Sequence, residues 1–74
     1  MDFLETPDAR FHGLPDYPFA ANRTQVDADG LTMHYVDEGP RAAAPILMLH
    51  GEPTWSYLYR HMIPPCVAAG QRVI

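Results

Sequence analysis

One cysteine, five basic residues against nine acidic ones and no long apolar run: the 74-residue sequence is defined first by what it has little of. A lone Cys66 excludes an internal disulfide and a cysteine-ligated zinc centre, which leaves it the part of a small buried hydrophobe. The net charge of −4 provides no basic stripe to follow phosphates, so neither nucleic acid nor an anionic membrane surface is an expected partner. Met1-Asp2-Phe3-Leu4-Glu5 is acidic and has no apolar core of a secretory signal, and no stretch approaches the roughly 18 apolar residues of a membrane span. A reducing, cytoplasmic setting fits. His12, His34 and His61 have no ligand spacing among them, so no metal is expected.

What is present describes a globular chain: 47% of the residues are hydrophobic and 19% charged, which calls for a core. A single domain this short buries only about 60% of its unfolded surface, so its margin is thin. No repeat or low-complexity tract occurs.

Residues 1–23 read as an irregular arm. Pro7, Pro15 and Pro18 interrupt any helix there, whereas Phe3, Phe11, Tyr17 and Phe19 are too apolar for a free tail and predict an arm laid over another surface. From Thr24 the pattern alternates, with Leu31, Met33 and Tyr35 on one side and Thr32, His34 and Val36 on the other. With Asp29-Gly30 as the turn, residues 24–28 and 31–37 are expected to pair as an antiparallel hairpin within 24–38, ended by Gly39-Pro40. Asp37 and Glu38 are adjacent carboxylates, but neighbours on a strand face opposite ways, so acid–base work by the pair is not expected.

Residues 46–74 carry the second half. Ile46-Leu47-Met48-Leu49 is a continuous apolar run, the pattern of a strand buried on both faces in a parallel sheet. After the turn "HGEP", Thr54 is placed to cap a helix whose apolar positions Trp55, Leu58, Tyr59 and Met62 share one face, with Pro64-Pro65 stopping it. Trp55 is assigned to packing on that stripe, and Arg60 to a structural ion pair. Residues 65–69 allow one further turn closed by Gly70 in a left-handed conformation, and Arg72-Val73-Ile74 begins a new strand. Hairpin, buried strand, helix and new strand make the opening of an α/β fold with an incomplete sheet.

A strand, a tight turn and a helix aim unpaired backbone N–H groups at one point, which attracts anions. The turn after the third strand is where hydrolases with a nucleophile on a sharp strand-to-helix turn obtain one oxyanion donor. His50 is expected to brace this turn, Gly51 to let the backbone approach closely and Pro53 to fix its course.

Four stretches, "TPDARFHGLPDYPFA", "LTMHYVDEGP", "HGEPTWSYLYRHMIPP" and "AAGQRVI", make residues 2–74 resemble the N-terminal quarter of α/β-hydrolases of the haloalkane dehalogenase family, subfamily I. The resemblance implies that the backbone N–H of Glu52 is an oxyanion-hole donor, with His50, Gly51 and Pro53 supporting the turn and a cis Glu52-Pro53 bond. It implies an aspartate nucleophile that displaces halide to give an ester, and a histidine with an acid partner that activates water to hydrolyse it, all located after Ile74. Relatives with Asn at position 52 hold the halide through its amide; ionised Glu52 has no hydrogen to donate, so the family's two halide-binding tryptophans, also later in the chain, would do so. No cofactor is implied. The implied partners are a small halogenated alkane and water in a full-length, monomeric enzyme.

In the family's sheet the strand order begins 1-2-4-3, so the Ile46 strand meets the hairpin only through the strand starting at Arg72. The 74 residues alone are therefore expected to be inactive, to leave a gap in the sheet, and to self-associate through open edges. The competing readings are an epoxide hydrolase-like or other α/β-hydrolase segment, which shares HGxP, and an inactive fragment or strand-pairing interaction module.

Overall fold

The computed structural model describes residues 4–74; Phe3, assigned to the arm, lies outside them. Strands β1 (Asn22–Gln25) and β2 (Thr32–Tyr35) pair antiparallel, with Asn22 opposite Tyr35 and Gln25 opposite Thr32. The hairpin thus starts two residues before Thr24 and ends earlier than expected at both inner boundaries. The reason lies in Asp27, whose Oδ1 accepts the N–H groups of Asp29 and Leu31 while Val26 N–H bonds Leu31 C=O at 2.8 Å. A side chain that satisfies the turn's own donors takes those residues out of the ladder.

Strand β3 (Pro45–Ile46) runs parallel to β4 (Arg72–Val73), as the sequence predicts for these stretches. The pairing extends past the short strands, since Ile74 N–H bonds Ile46 C=O and Met48 N–H bonds Ile74 C=O. On its other side β4 meets Glu38 in an antiparallel bridge of two main-chain bonds, 3.0 and 2.8 Å. The spatial order is therefore β1-β2-β4-β3. Gly39 makes the crossing possible: it sits at φ 96°, and a Cβ there would come within 2.3 Å of the Gln71 carbonyl. Beyond Ile74 no described strand separates β2 from the Leu47–Leu49 stretch, so the sheet has the expected gap.

The core gathers where the two halves meet. Tyr17, Phe19, Val36, Ile63 and Val73 form one buried cluster, with Val73 only 1% exposed, each fully buried apolar side chain contributing on the order of 2 kcal/mol. The arm is thus packed, as its aromatic content predicts. A 3₁₀ turn, Asp8–Phe11, buries Phe11, the Tyr17 hydroxyl shares a 2.7 Å hydrogen bond with Ser56, and the Tyr57 hydroxyl donates to the Pro15 carbonyl at 3.0 Å. Arg23 fastens the arm's start through Glu5 and Asp8.

The helical region departs from the sequence reading. In place of one helix from Thr54 to Met62 there is a 3₁₀ turn, Ser56–Tyr59, then a bend and helix α1, Ile63–Ala68. Pro64 and Pro65 begin α1 instead of stopping a helix: their missing N–H groups fall in the first turn, where no intrahelical acceptor exists. Upstream, Leu58 and Met62 are exposed, so half of the stripe lacks the packing from which helical stability mostly comes. The end of α1 follows the sequence, because Gly70 (φ 84°) closes a Schellman motif with Gly70 N–H on Val67 C=O and Gln71 N–H on Cys66 C=O. Cys66 packs against the core as a half-buried thiol.

The apolar run 46–49 is also not buried as expected: Leu47 is 65% and Leu49 74% exposed. Such a run suits a sheet covered on both faces, and the described residues leave Leu47 and Leu49 uncovered.

Candidate functional site

The turn after β3 is held by its own backbone and two hydroxyls. Gly51 C=O accepts both the N–H of Thr54, at 2.8 Å, and the Thr54 hydroxyl, closing residues 51–54 around a cis Glu52-Pro53 bond. Tyr59, from the 3₁₀ turn, donates its hydroxyl to the Leu49 carbonyl and so ties the end of the apolar run to the helical region. Thr54 is therefore a latch inside the turn and not the helix cap expected of it; Trp55 occupies that cap position with no side-chain bond.

At the centre of this turn, Glu52 is exposed, and among the described residues its N–H donates to no acceptor. A turn held in place that leaves an amide unbonded presents a fixed partial positive charge to any anionic oxygen brought to it. His50 is exposed and its Nδ1 lies 3.4 Å from the Gly51 carbonyl, a long contact beside the shorter bonds that Thr54 and Tyr59 make to this turn. The signal for Tyr59 was present as a hydroxyl one turn after the motif, but only the fold shows which carbonyl it reaches. A Cβ at Gly51 would meet nothing within 4 Å among the described residues.

Beside the turn lies a concavity of about 650 Å³ between β2 and the Leu47–Leu49 stretch. His50 and Trp55 line it; Glu52 does not. Trp55 is only partly covered and packs into a ring cluster with Phe11, Tyr17 and Tyr57, at centroid distances of 5.9, 5.3 and 5.7 Å. Its assignment to packing holds, although on the arm and not on a helical stripe. Among the described residues Arg60 makes no ion pair: its guanidinium lies 4.1 Å from the centre of the Tyr57 ring and donates to the Tyr57 carbonyl at 3.0 Å, so an aromatic face takes the place of the expected carboxylate.

Titratable groups elsewhere are structural. Arg72 grips Asp37 with both Nε and an Nη, at 2.9 and 2.7 Å, and Arg41 adds a third contact; the Arg72 guanidinium foremost holds the Asp37 carboxyl below the usual range. Glu38 takes no part, in keeping with opposite faces of a strand. Burial pushes the Tyr17 hydroxyl up and the His34 imidazole down, the latter with Arg23 adding to the effect. Among the described residues no group of three His, Cys, Asp or Glu could hold a metal, and no helix is long and apolar enough to cross a membrane.

No family model matches the chain. It is 60% identical over its whole length to a haloalkane dehalogenase of Mycobacterium marinum, of which it spans 26%. A weaker similarity, 45% over 66% of the chain and 16% of the relative, is to a cis-3-alkyl-4-alkyloxetan-2-one decarboxylase of Xanthomonas campestris. Among solved structures, the tetrameric haloalkane dehalogenase DpaA from Paraglaciecola agarilytica NO2 matches 99% of the chain and 25% of its own, with a TM-score of 0.86 at 46% identity. The chain thus spans about a quarter of the length of these dehalogenases.

Proposed function

Since this chain corresponds over its whole length to the N-terminal quarter of haloalkane dehalogenases of the α/β-hydrolase fold, we propose that it provides such an enzyme with one of its two oxyanion-hole donors, the Glu52 main-chain N–H. The reading is supported by one observation: among the described residues that amide donates to no acceptor, in a turn fastened around it by the bonds of Thr54 to Gly51 C=O and of the Tyr59 hydroxyl to Leu49 C=O.

The reaction is hydrolysis of a carbon–halogen bond. An aspartate carboxylate attacks the carbon and halide leaves with the bonding electrons, giving an alkyl ester. Water, deprotonated by a histidine, adds to the ester carbonyl; the resulting oxyanion collapses and expels the alcohol. Charge appears on that oxygen only in the second step, so the Glu52 N–H acts there, where loss of one donor costs about 10²–10³-fold in rate. His50, Gly51 and Pro53 shape the turn around it. The substrate is a small halogenated alkane with water as second reactant, no cofactor is required, the halide is held outside this segment as subfamily I would have it, and the enzyme works in the cytoplasm.

The test is made on the full enzyme carrying this segment. Replacing the Glu52 amide by an ester linkage through semisynthesis deletes the N–H and keeps the side chain. The expected result is a retained burst of one halide per enzyme on a short bromoalkane, followed by steady-state turnover lowered about 10²–10³-fold; unchanged turnover would remove Glu52 from the mechanism.

A further inference from the structure

We propose that the N-terminal arm is part of the catalytic scaffold: through the 3₁₀ turn Ser56–Tyr59 it fixes the place of the Glu52 N–H, and Tyr59 is the positioning residue that joins the two. The proposal rests on the oxyanion reading of Glu52.

Burial does not hold the Glu52 turn. Every residue from Leu49 to Thr54 is exposed among the described residues, so the course of the chain there is set by directed bonds. The ladder bond that precedes it is Met48 N–H on Ile74 C=O. From there the turn is fixed at three places. At its entry the Tyr59 hydroxyl donates to Leu49 C=O, and inside it Thr54 bonds Gly51 C=O through both its N–H and its hydroxyl. At its exit the Trp55 ring lies among those of Phe11, Tyr17 and Tyr57.

Both outer fixings lead back to the arm. Trp55 meets Phe11 and Tyr17 directly. Tyr59 does so through its neighbours, because the stretch Ser56-Tyr57-Leu58-Tyr59 carries three hydroxyls and uses all of them. Ser56 shares a 2.7 Å bond with the buried Tyr17, Tyr57 donates to the Pro15 carbonyl at 3.0 Å, and Tyr59 reaches Leu49. Two hydroxyls thus tie this stretch to the arm and the third ties it to the Glu52 turn. A phenyl ring at 57 or 59 would fill the same space and fix no direction, since hydrogen bonds are angular and apolar packing is not.

The consequence is selective. The oxyanion forms only when water adds to the ester, so a misplaced donor slows that step and spares the displacement of halide. A displacement of about 1 Å is enough to cost about 10²-fold.

In the full enzyme carrying this segment, Tyr59→Phe and the arm pair Tyr17→Phe with Tyr57→Phe are each made twice, with the Glu52 amide intact and with it replaced by an ester linkage. The halide burst on a short bromoalkane and the steady-state turnover are read well below each variant's thermal midpoint. The burst rate should stay within about twofold of the parent throughout, while turnover falls about tenfold for Tyr59→Phe and about threefold for the arm pair. Beside the ester linkage neither variant should lower turnover further, because the donor they position is already gone. Burst and turnover falling together, turnover unchanged by Tyr59→Phe where the ester linkage slows it, or full additivity of the two losses would each overturn the proposal and leave the oxyanion reading standing. An ester linkage without effect would overturn both.

Discussion

The arm–hairpin half and the strand–turn half of this segment differ in where their apolar residues end up, although Leu4, Val26 and Met33 of the first are exposed too and Ile63 and Val73 of the second are buried. Tyr17, Phe19 and Val36 from the first half close over Val73 and Ile63, while Leu47, Leu49, Leu58 and Met62 in the second stay exposed. The difference is one of available partners. The buried residues gather around Val73 of β4, while Leu47, Leu49, Leu58 and Met62 remain exposed among the described residues. The region that stays open is also the one carrying the unbonded Glu52 amide, so the part of the segment that is least complete in itself is the part with chemistry to offer.

The sharpest way to break this contrast is to place a charge in each region. Val73→Asp puts an unpaired carboxylate at the most buried position and should cost about 3 kcal/mol or more, enough to abolish cooperative unfolding by circular dichroism. Leu49→Asp, at an exposed position, should change stability by no more than about 0.5 kcal/mol. Equal losses would mean that the two halves do not differ.

Next in size is the clamp that joins them. Asp37 is held on β4 by Arg72, and its pKa is lowered in the folded state. A lowered carboxyl contributes stability that is complete above its unfolded pKa of about 3.9 and is lost as pH falls through the lower folded value. Asp37→Asn should reduce the thermal midpoint at pH 7 and flatten its acid limb below about pH 4. A variant whose midpoint keeps the parental fall with acid would discount the clamp.

A smaller effect belongs to the arm. Among the described residues His34 Nε2 is buried without a partner, its ring stacked on Phe11 at 4.2 Å, and burial lowers its pKa. The unfolded chain then binds the proton more readily, so the contribution is complete above about pH 6.5 and declines as pH falls towards the folded value. His34→Phe should remove that decline while keeping the stack, read as a thermal midpoint that stays level between about pH 7 and 5.

Much of this was legible in the chain. Alternation located the hairpin, the aromatic residues of the arm announced its packing, and Gly70 and Arg72-Val73 marked the return to the sheet. What misled were patterns whose meaning depends on partners. The run 46–49 reads as buried and the stripe Trp55, Leu58, Tyr59, Met62 as helical only if something covers them fully; here Leu47 and Leu49 stay exposed, as do Leu58 and Met62, and the stripe forms a 3₁₀ turn. Pro64-Pro65 is ambiguous by nature, because the same missing donors that end one helix are harmless at the start of the next. At the turn, HGEP pointed to the right loop, but the side chains that hold it, Thr54 and Tyr59, are assigned by distances in space that periodicity does not carry.

The most direct measurement is residue-resolved amide exchange across the turn of the 74-residue chain. The Thr54 amide, bonded to Gly51, should be protected, whereas the Glu52 amide should exchange within a few-fold of an unstructured peptide. Protection of Glu52 equal to that of Thr54 would mean that its hydrogen is already spent inside the turn and unavailable to an oxyanion.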